Sequence, residues 1–370
     1  MFPVASPTQR VCGQLGSWPV RALLIVNPNA TSTTQAARDL VAHALESRMQ
    51  LTVAHTMRRG HAAELAGWAA TNGMDLIVVH GGDGTINEAI NGFLPRPDDP
   101  GGYVRPDGLP RLAVLPGGSA NVFARSLGIA PDPVEATNQL IDLIGKGTRR
   151  RIGLGFAAGT APDETAESPS AGEPTEDGPD PDSPAALGTA RWFGFNAGLG
   201  LDARVCAAVD DSRGRGRTAT PTRYVRTTLR EFFRNKRNEP TLTVEVPGTD
   251  PVGDVHYAFV SNSSPWTFMD AKPVSTNPGT NFDTGLGVFA MRSTGVLATL
   301  RVASQLLREG AQPKSRILFR VDDVPCVTIR SSEPIAFQLD GDYVGVRNEV
   351  RFTSIPNALE VVVPARSTSA

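Results

Sequence analysis

Apolar residues are arranged in two different ways along this chain. Before residue 128, short unbroken apolar runs (Ala22 to Val26, Leu51 to His55, Leu76 to His80, Leu112 to Leu115) alternate with segments of helical spacing (Thr34 to Arg48, Ala62 to Asn72, Thr85 to Phe93, Ala120 to Leu127). Runs such as LLIV and LIVV lack polar alternation, as strands covered on both faces do, so this half is expected to form a parallel sheet in an α/β domain. After residue 240 the runs are short or alternating: Thr241 to Val246, His256 to Ser261, Arg316 to Val321, Val327 to Ser331, Ile335 to Leu339 and Leu359 to Val363. They predict a β-rich second domain. The expected organisation is an N-terminal extension over residues 1–20, an α/β domain over 21–148, a β-rich domain over 149–357 and a closing segment over 358–370. The strand of that last segment, Ala358 to Pro364, is free to return to the first domain.

Residues 159–188 break both patterns. They are rich in Pro, Ser, Ala and acid, with no aromatic or β-branched aliphatic residue, and are expected to form a disordered surface insert. Eight of the chain's 38 acidic residues lie there (Asp163, Glu164, Glu167, Glu173, Glu176, Asp177, Asp180 and Asp182), with no basic partner. The remaining 30 face 36 basic residues, so a mildly basic body lies behind the net charge of −2, a sign suited to anionic lipid. The three cysteines, Cys12, Cys206 and Cys326, form no C-x-x-C pair, which argues against a disulfide framework or a zinc site and for a reducing cytoplasm. No run approaches the roughly 20 apolar residues of a spanning helix, so a soluble or peripheral protein is expected.

Three loops that follow strand-like runs carry the candidate chemistry. The second, VVHGGDGTINEAINGF (Val78 to Phe93), joins strand to helix through Gly81, Gly82 and Gly84, where backbone N–H groups can approach phosphate oxygens without steric penalty. Asp83, in the middle of that turn, would repel a phosphate unless a cation lay between them, which points to a Mg²⁺-nucleotide or to a carboxylate that handles a substrate hydroxyl. An ordinary strand-turn-helix corner is the alternative. The first loop offers Asn27, Pro28, Asn29, Thr31 and Ser32 after Leu23 to Val26; the third offers Gly117, Gly118, Ser119 and Asn121 after Leu112 to Leu115. Parallel sheets bind ligands beyond the carboxyl ends of their strands, so all three loops are expected at one edge. None has Walker A or G-x-G-x-x-G spacing.

Asp340 and Asp342 flank Gly341 after the apolar run IAFQL, an arrangement suited to a catalytic carboxylate pair or to a plain turn. Asp202, after GLGL, suits an acceptor hydroxyl or a helix N-cap. His55 and His80 read as wall residues, and His61 as a shaper of an adenine pocket. Residues 213–237 hold nine basic side chains and one acid, and the second half is an amphipathic helix with Arg223, Arg226, Arg230, Arg234 and Arg237 on one face. A solvated face on a packed helix is the plain reading; Arg226, Arg230 and Arg234 would otherwise attract anionic lipid.

Taken in order, these segments resemble the group of diacylglycerol kinases, sphingosine kinases and bacterial lipid kinases. The resemblance rests on NPNAT (Asn27 to Thr31), TMRRGHA (Thr56 to Ala62), GGDGTINE (Gly81 to Glu88), LPGGSANVFAR (Leu115 to Arg125), FNAGLGLDA (Phe195 to Ala203) and QLDGD (Gln338 to Asp342). Three positions depart from the family pattern: Ser119 stands for Thr, Val122 for Asp and Asp342 for Glu.

The resemblance implies an α/β N-terminal domain with a parallel sheet, of the NAD kinase and diacylglycerol kinase kind, facing a β-rich, sandwich-like C-terminal domain. It implies ATP and Mg²⁺ as cofactors. ATP would meet Asn27, Asn29 and Thr31 in the first loop, then Thr56 and Gly60. Gly81, Gly82, Gly84, Thr85 and Glu88 follow in the second loop, and Gly117, Gly118, Ser119 and Asn121 in the third. Gly341 and the arginines Arg217 and Arg223 complete that set. Asp340, Asp342 and Asp83 would be catalytic, with Asp83 and Asp342 beside Mg²⁺ and Asp283 at a structural cation; Asn262 would lie near the cleft. Asp202 would hold the lipid headgroup. Diacylglycerol is the first expectation, with other lipid alcohols chemically equivalent. The alternatives are an NAD kinase, which shares GGDG, and a lipid-binding regulator that has lost catalysis. Expected partners are a membrane lipid substrate and the anionic inner face of the cytoplasmic membrane, with no nucleic acid and with room for a homodimer.

Overall fold

The computed structural model describes residues 20–30, 34–160, 190–200, 241–269, 272–293, 295–306, 308 and 312–365. The expected insert, Thr31, Asp202 and the basic helix with Arg217 and Arg223 lie outside the described residues.

The four uninterrupted apolar runs form strands β1 (Arg21–Val26), β2 (Gln50–His55), β3 (Leu76–Gly81) and β4 (Arg111–Pro116), all parallel in the order β2-β1-β3-β4. Val26 pairs with His55 on one side and His80 on the other, and His80 pairs in turn with Leu115. The strands therefore end level, and the residues after each end share one edge. Helices α1 (Gln35–Glu46), α2 (His61–Thr71), α3 (Asp83–Phe93), α4 (Val122–Ser126) and α5 (Pro133–Gly145) connect them. The third-loop helix is shorter than the Ala120 to Leu127 pattern predicts, because Asn121 enters it from the left-handed region at φ 48°. Apolar side chains of the helices close over Leu23, Leu24, Ile77 and Val78, all fully buried.

The later strands are antiparallel and continue the same sheet. β5 (Arg150–Thr160), β7 (Asn196–Leu199), β10 (Tyr257–Ser261) and β13 (Leu286–Met291) build it, with β15 (Cys326–Leu339) and β16 (Asp342–Val361) as the longest pair. β16 pairs with β15 and β5, bends at a register shift between Ile355 and Leu359, and places Val361 beside Leu112 of β4 in parallel. The closing strand thus returns to the first sheet. At the junction, Trp192 of β6 (Ala190–Phe193) is fully buried, edge-on to both Tyr103 and Phe156 at 5.1 Å. One more helix, α6 (Val296–Leu306), covers Tyr257, Phe259 and Phe289 through Val302.

α2 and α3 cross so closely that a Cβ on Gly92 would collide with the Ala63 carbonyl oxygen, and one on Gly67 would come within 3.0 Å of the Gly92 oxygen. This approach sets the height of α3 and of the polar residues on its first turn. Gly92→Ala should lower the unfolding free energy by about 1–3 kcal/mol, the usual cost of overpacking a tight contact. Chemical denaturation checks it; an unchanged midpoint would mean that the helices slide apart freely.

Candidate functional site

The first three loops meet where the level strands end. Asn27 donates from Nδ2 to Thr85 Oγ1 at 3.0 Å, and its own Oδ1 accepts from Asn29 N at 3.0 Å, so the first loop is tied to the second. Thr56, after β2, is buried beside them, with its N–H donated to Val26 O. The second and third loops pack backbone against backbone: Gly117 N donates to Gly81 O at 2.9 Å, and a Cβ on Gly118 would lie 2.8 Å from Gly82 Cα. No larger residue fits at Gly118. Asn121 closes the third loop by exchanging hydrogen bonds with both the N–H and the carbonyl of Gly118, each at 2.8 Å, while Ser119 is exposed at the loop's tip.

Two carboxylates of the GGDGTINE segment face helix starts. Asp83 is half-buried and accepts from Val122 N at 2.9 Å and Phe123 N at 3.0 Å, the open first-turn amides of α4. This supplies the helix-start carboxylate that Val122 itself lacks, and it makes Asp83 the anchor of the third loop, where the sequence alone pointed to an open catalytic or metal-facing group. Burial pushes its carboxyl up to about 6, against the pull of those two amides. Glu88 faces the start of α2 at Gly60 and Ala62, and burial likewise raises its carboxyl. Gly60 enters that helix at φ 78°, a left-handed conformation that favours glycine.

The late Asp-Gly-Asp turn arrives from the other half of the chain. Asp340 is 4% exposed and accepts from Gly194 N at 2.6 Å, Phe195 N at 2.9 Å, Asn196 N at 3.1 Å and Asn87 Nδ2 at 2.7 Å. Burial lifts it to about 6, opposed by these four donors. With four donors on two oxygens, Asp340 is a positioning residue. Asp340 and Gly341 both have positive φ, 49° and 85°, and the turn they make projects Asp342 into the first domain. A Cβ on Gly84 would stand 2.9 Å from Asp342 Oδ2, so this carboxylate lies directly against the glycine loop. Its Oδ1 also lies 3.4 Å from Arg59 Nη2. Of the two carboxylates in the turn, Asp342 is the less buried, at 22% side-chain exposure.

Other expected site residues fall elsewhere. Asp283 is paired with Arg150 at 2.6 Å, so a guanidinium holds the place expected for a structural cation. Asn262 is buried and donates to the carbonyls of Gly153 and Gly194, which makes it a strand tie. His61 accepts from Met57 N through Nδ1 at 3.1 Å and shapes the 56–60 loop. His80 is buried without a hydrogen-bond partner among the described residues, and burial, with Arg38 nearby, lowers its imidazole to about 4. Sequence reasoning passed over Asn87, Arg59 and Arg191. Asn87 and Arg59 stand inside recognised motifs, whereas Arg191 is a lone charge in the apolar run ARWFGF, and that mismatch is the only signal of it.

Residues 21–155 match the sequence model of the diacylglycerol kinase catalytic domain. This segment is similar to that catalytic domain. The chain is 37% identical over 143 residues to a diacylglycerol kinase of Bacillus subtilis, a match covering 38% of this chain and 42% of that one. It is 27% identical over 347 residues to a Stenotrophomonas maltophilia protein named "Probable lipid kinase YegS-like", covering 92% and 96%. Human sphingosine kinase 1 matches at 34% over 124 residues, 33% of this chain and 31% of that one. The chain thus spans less than half of the Bacillus subtilis and human relatives and nearly all of the Stenotrophomonas one. A crystal structure of a diacylglycerol kinase from Bacillus anthracis shares the fold with a TM-score of 0.61 at 19% identity, covering 94% and 98% of the two chains.

The folded state holds the Asp83 carboxyl above its ordinary range and so binds its proton more tightly than the unfolded chain does. Its contribution to stability is present in full below about pH 4 and is lost as pH rises through about 6. The stability gap between the wild type and Asp83→Asn should therefore be larger at pH 4.5 than at pH 7, by on the order of 2 kcal/mol. Denaturant unfolding at the two pH values measures it. A gap that widens with pH would mean that the amides, not burial, dominate this site.

Proposed function

We propose that the protein is an ATP- and Mg²⁺-dependent lipid kinase that transfers the γ-phosphoryl group to a hydroxyl of a membrane lipid, with diacylglycerol as the first substrate. The observation that carries the reading is the contact of the Asp342 carboxylate with Gly84, which joins a base to a phosphate-binding corner built by another part of the chain. The kinship with diacylglycerol and sphingosine kinases supplies the class of acceptor.

The backbone of Gly81, Gly82 and Gly84, with Gly117 and Gly118 behind it, is shaped to receive phosphate oxygens. Asp342 accepts the proton of the lipid hydroxyl as its oxygen bonds to the γ-phosphorus, and the bond from that phosphorus to the β–γ bridging oxygen breaks, releasing ADP. Asp340 holds the turn that aims Asp342. Among the described residues no three His, Cys, Asp or Glu side chains form a metal cage. Mg²⁺ binds through one or two carboxylates and substrate phosphates, and Asp342 would be the residue to hold it. When bound, the ion neutralises charge on the transferring phosphoryl group.

Asp342→Asn should reduce turnover on ATP and a short-chain diacylglycerol by 10²-fold or more, and Asp342→Glu should retain most of it, while both keep the wild-type melting temperature. Phosphorylation of NAD in place of lipid, or full activity in the Asn variant, would overturn the reading.

Peripheral binding to anionic membrane belongs to the same proposal. On the outward face of α6, Leu297 is 85% and Leu300 58% exposed, next to the exposed Arg301 and Arg308. An apolar pair flanked by cations suits an interfacial helix. Changing both leucines to Glu should weaken sedimentation with vesicles containing anionic lipid and leave turnover on the short-chain substrate unaltered; unchanged sedimentation would remove α6 from the membrane contact.

A further inference from the structure

Arg191, on β6, is a buried cation. It is 7% exposed, and among the described residues its one hydrogen bond runs from Nη2 to Asn87 Oδ1 at 3.1 Å. Among the described residues no carboxylate oxygen lies within 4.0 Å of its guanidinium. A guanidinium carries five N–H donors and the Asn87 bond uses one; no Arg191 nitrogen is among the sealed atoms that lack a partner, so the remaining donors reach open space. A largely buried cation whose free donors face a cleft is suited to an anion that enters there.

Its surroundings identify the anion. The negative groups that act on Arg191 most strongly are Asp342, then Glu88, then Asp340, while burial and Arg96 weaken its hold on its proton. These are the carboxylates of the cleft. The side chain it does contact, Asn87, donates at the same time to Asp340 and to the carbonyl of Trp192, both held rigidly. Arg191 is therefore held by Nη2 against α3, the helix that leaves the second glycine loop, among the carboxylates of the cleft. A phosphoryl group fits its planar fork: three equatorial oxygens, high negative charge, and a preference for bidentate N–H donors.

We propose that Arg191 contacts the phosphoryl group that is transferred, binding the γ-phosphate of the nucleotide and stabilising its charge as it passes to the acceptor. This deepens the kinase reading and rests on it. Asn87 keeps the guanidinium in register, and the carboxylates around it, by attracting it from several sides without pairing, leave it ready to turn to the phosphate. The nucleotide γ-phosphate and the phosphate of a lipid product share this chemistry, and the measurement must separate them.

The test compares wild type, Arg191→Gln and Arg191→Lys for binding of Mg-AMPPNP, Mg-ADP and a short-chain phosphatidic acid by calorimetry, together with melting temperature and turnover. If Arg191 serves the γ-phosphate, the ratio of AMPPNP to ADP affinity falls about tenfold or more in Arg191→Gln and is partly restored in Arg191→Lys. Turnover should fall on the order of 10²-fold, and the melting temperature should hold or rise because an unpaired charge has been removed. A wild-type ratio near one, or the same ratio in Arg191→Gln, would overturn the proposal, as would a lowered melting temperature with nucleotide preference intact, the mark of a mere strut. Loss confined to phosphatidic acid binding would overturn the γ-phosphate assignment and place the residue on the product. A wild type that transfers to no lipid, yet loses its AMPPNP preference on Arg191→Gln, would overturn the lipid kinase reading and leave Arg191 in its role.

Discussion

The carboxylate of Asp340 is the contact on which the geometry of the cleft depends. It takes three consecutive backbone amides from 194–196 and the Asn87 amide of α3, so it binds a turn of the second half of the chain to the helix that leaves the glycine loop. A charge-assisted hydrogen bond is worth about 1.5–3 kcal/mol, and four on one buried group outweigh a single surface ion pair severalfold. The cost of that arrangement is visible in the raised carboxyl. It is accepted because Asp342, two residues on, must be brought to Gly84 from a strand that begins in a different part of the sheet.

The strands of the first half were legible because each is covered on both faces. LLIV, LIVV and LAVL admit no alternation, and each becomes a buried parallel strand. The glycine loops were legible for a related reason: Gly118 and Gly82 approach each other so closely that no Cβ is tolerated, and such a requirement leaves a mark in the sequence. β16 was harder to see. Over 20 residues it carries Gly345, Pro356 and a positive-φ Asn357, which read locally as breaks, while its partners β15, β5 and β4 come from three distant segments that hold it together. Tertiary pairing overrides propensity there.

The carboxylates show the limit most plainly. Asp83 sits in a turn where an anion seems made for catalysis, but its two acceptors are spent on Val122 and Phe123, about 40 residues downstream. Capping across such a separation has no local signature; only the missing carboxylate at Val122 hints that another residue supplies it. Asp340 and Asp342 look equivalent on paper as a spaced pair. They differ because left-handed backbone at Asp340 and Gly341 turns one inward, where amides saturate it, and the other outward to the cleft.

Those saturated groups make the site a rigid frame with few open functions. Asp83 caps α4, Asp340 and Asn87 lock the two halves, and Trp192 seals the junction between Tyr103 and Phe156. What the frame leaves unsatisfied is then informative. Its buried carboxylates have donors, whereas among the described residues the Arg191 guanidinium has one acceptor and no paired anion. Beside buried carboxylates matched by backbone donors, a cation with no paired anion among the described residues is better understood as a place kept for a ligand's charge than as a fault of packing, since such a feature persists where the surrounding structure over-determines it and the ligand relieves it.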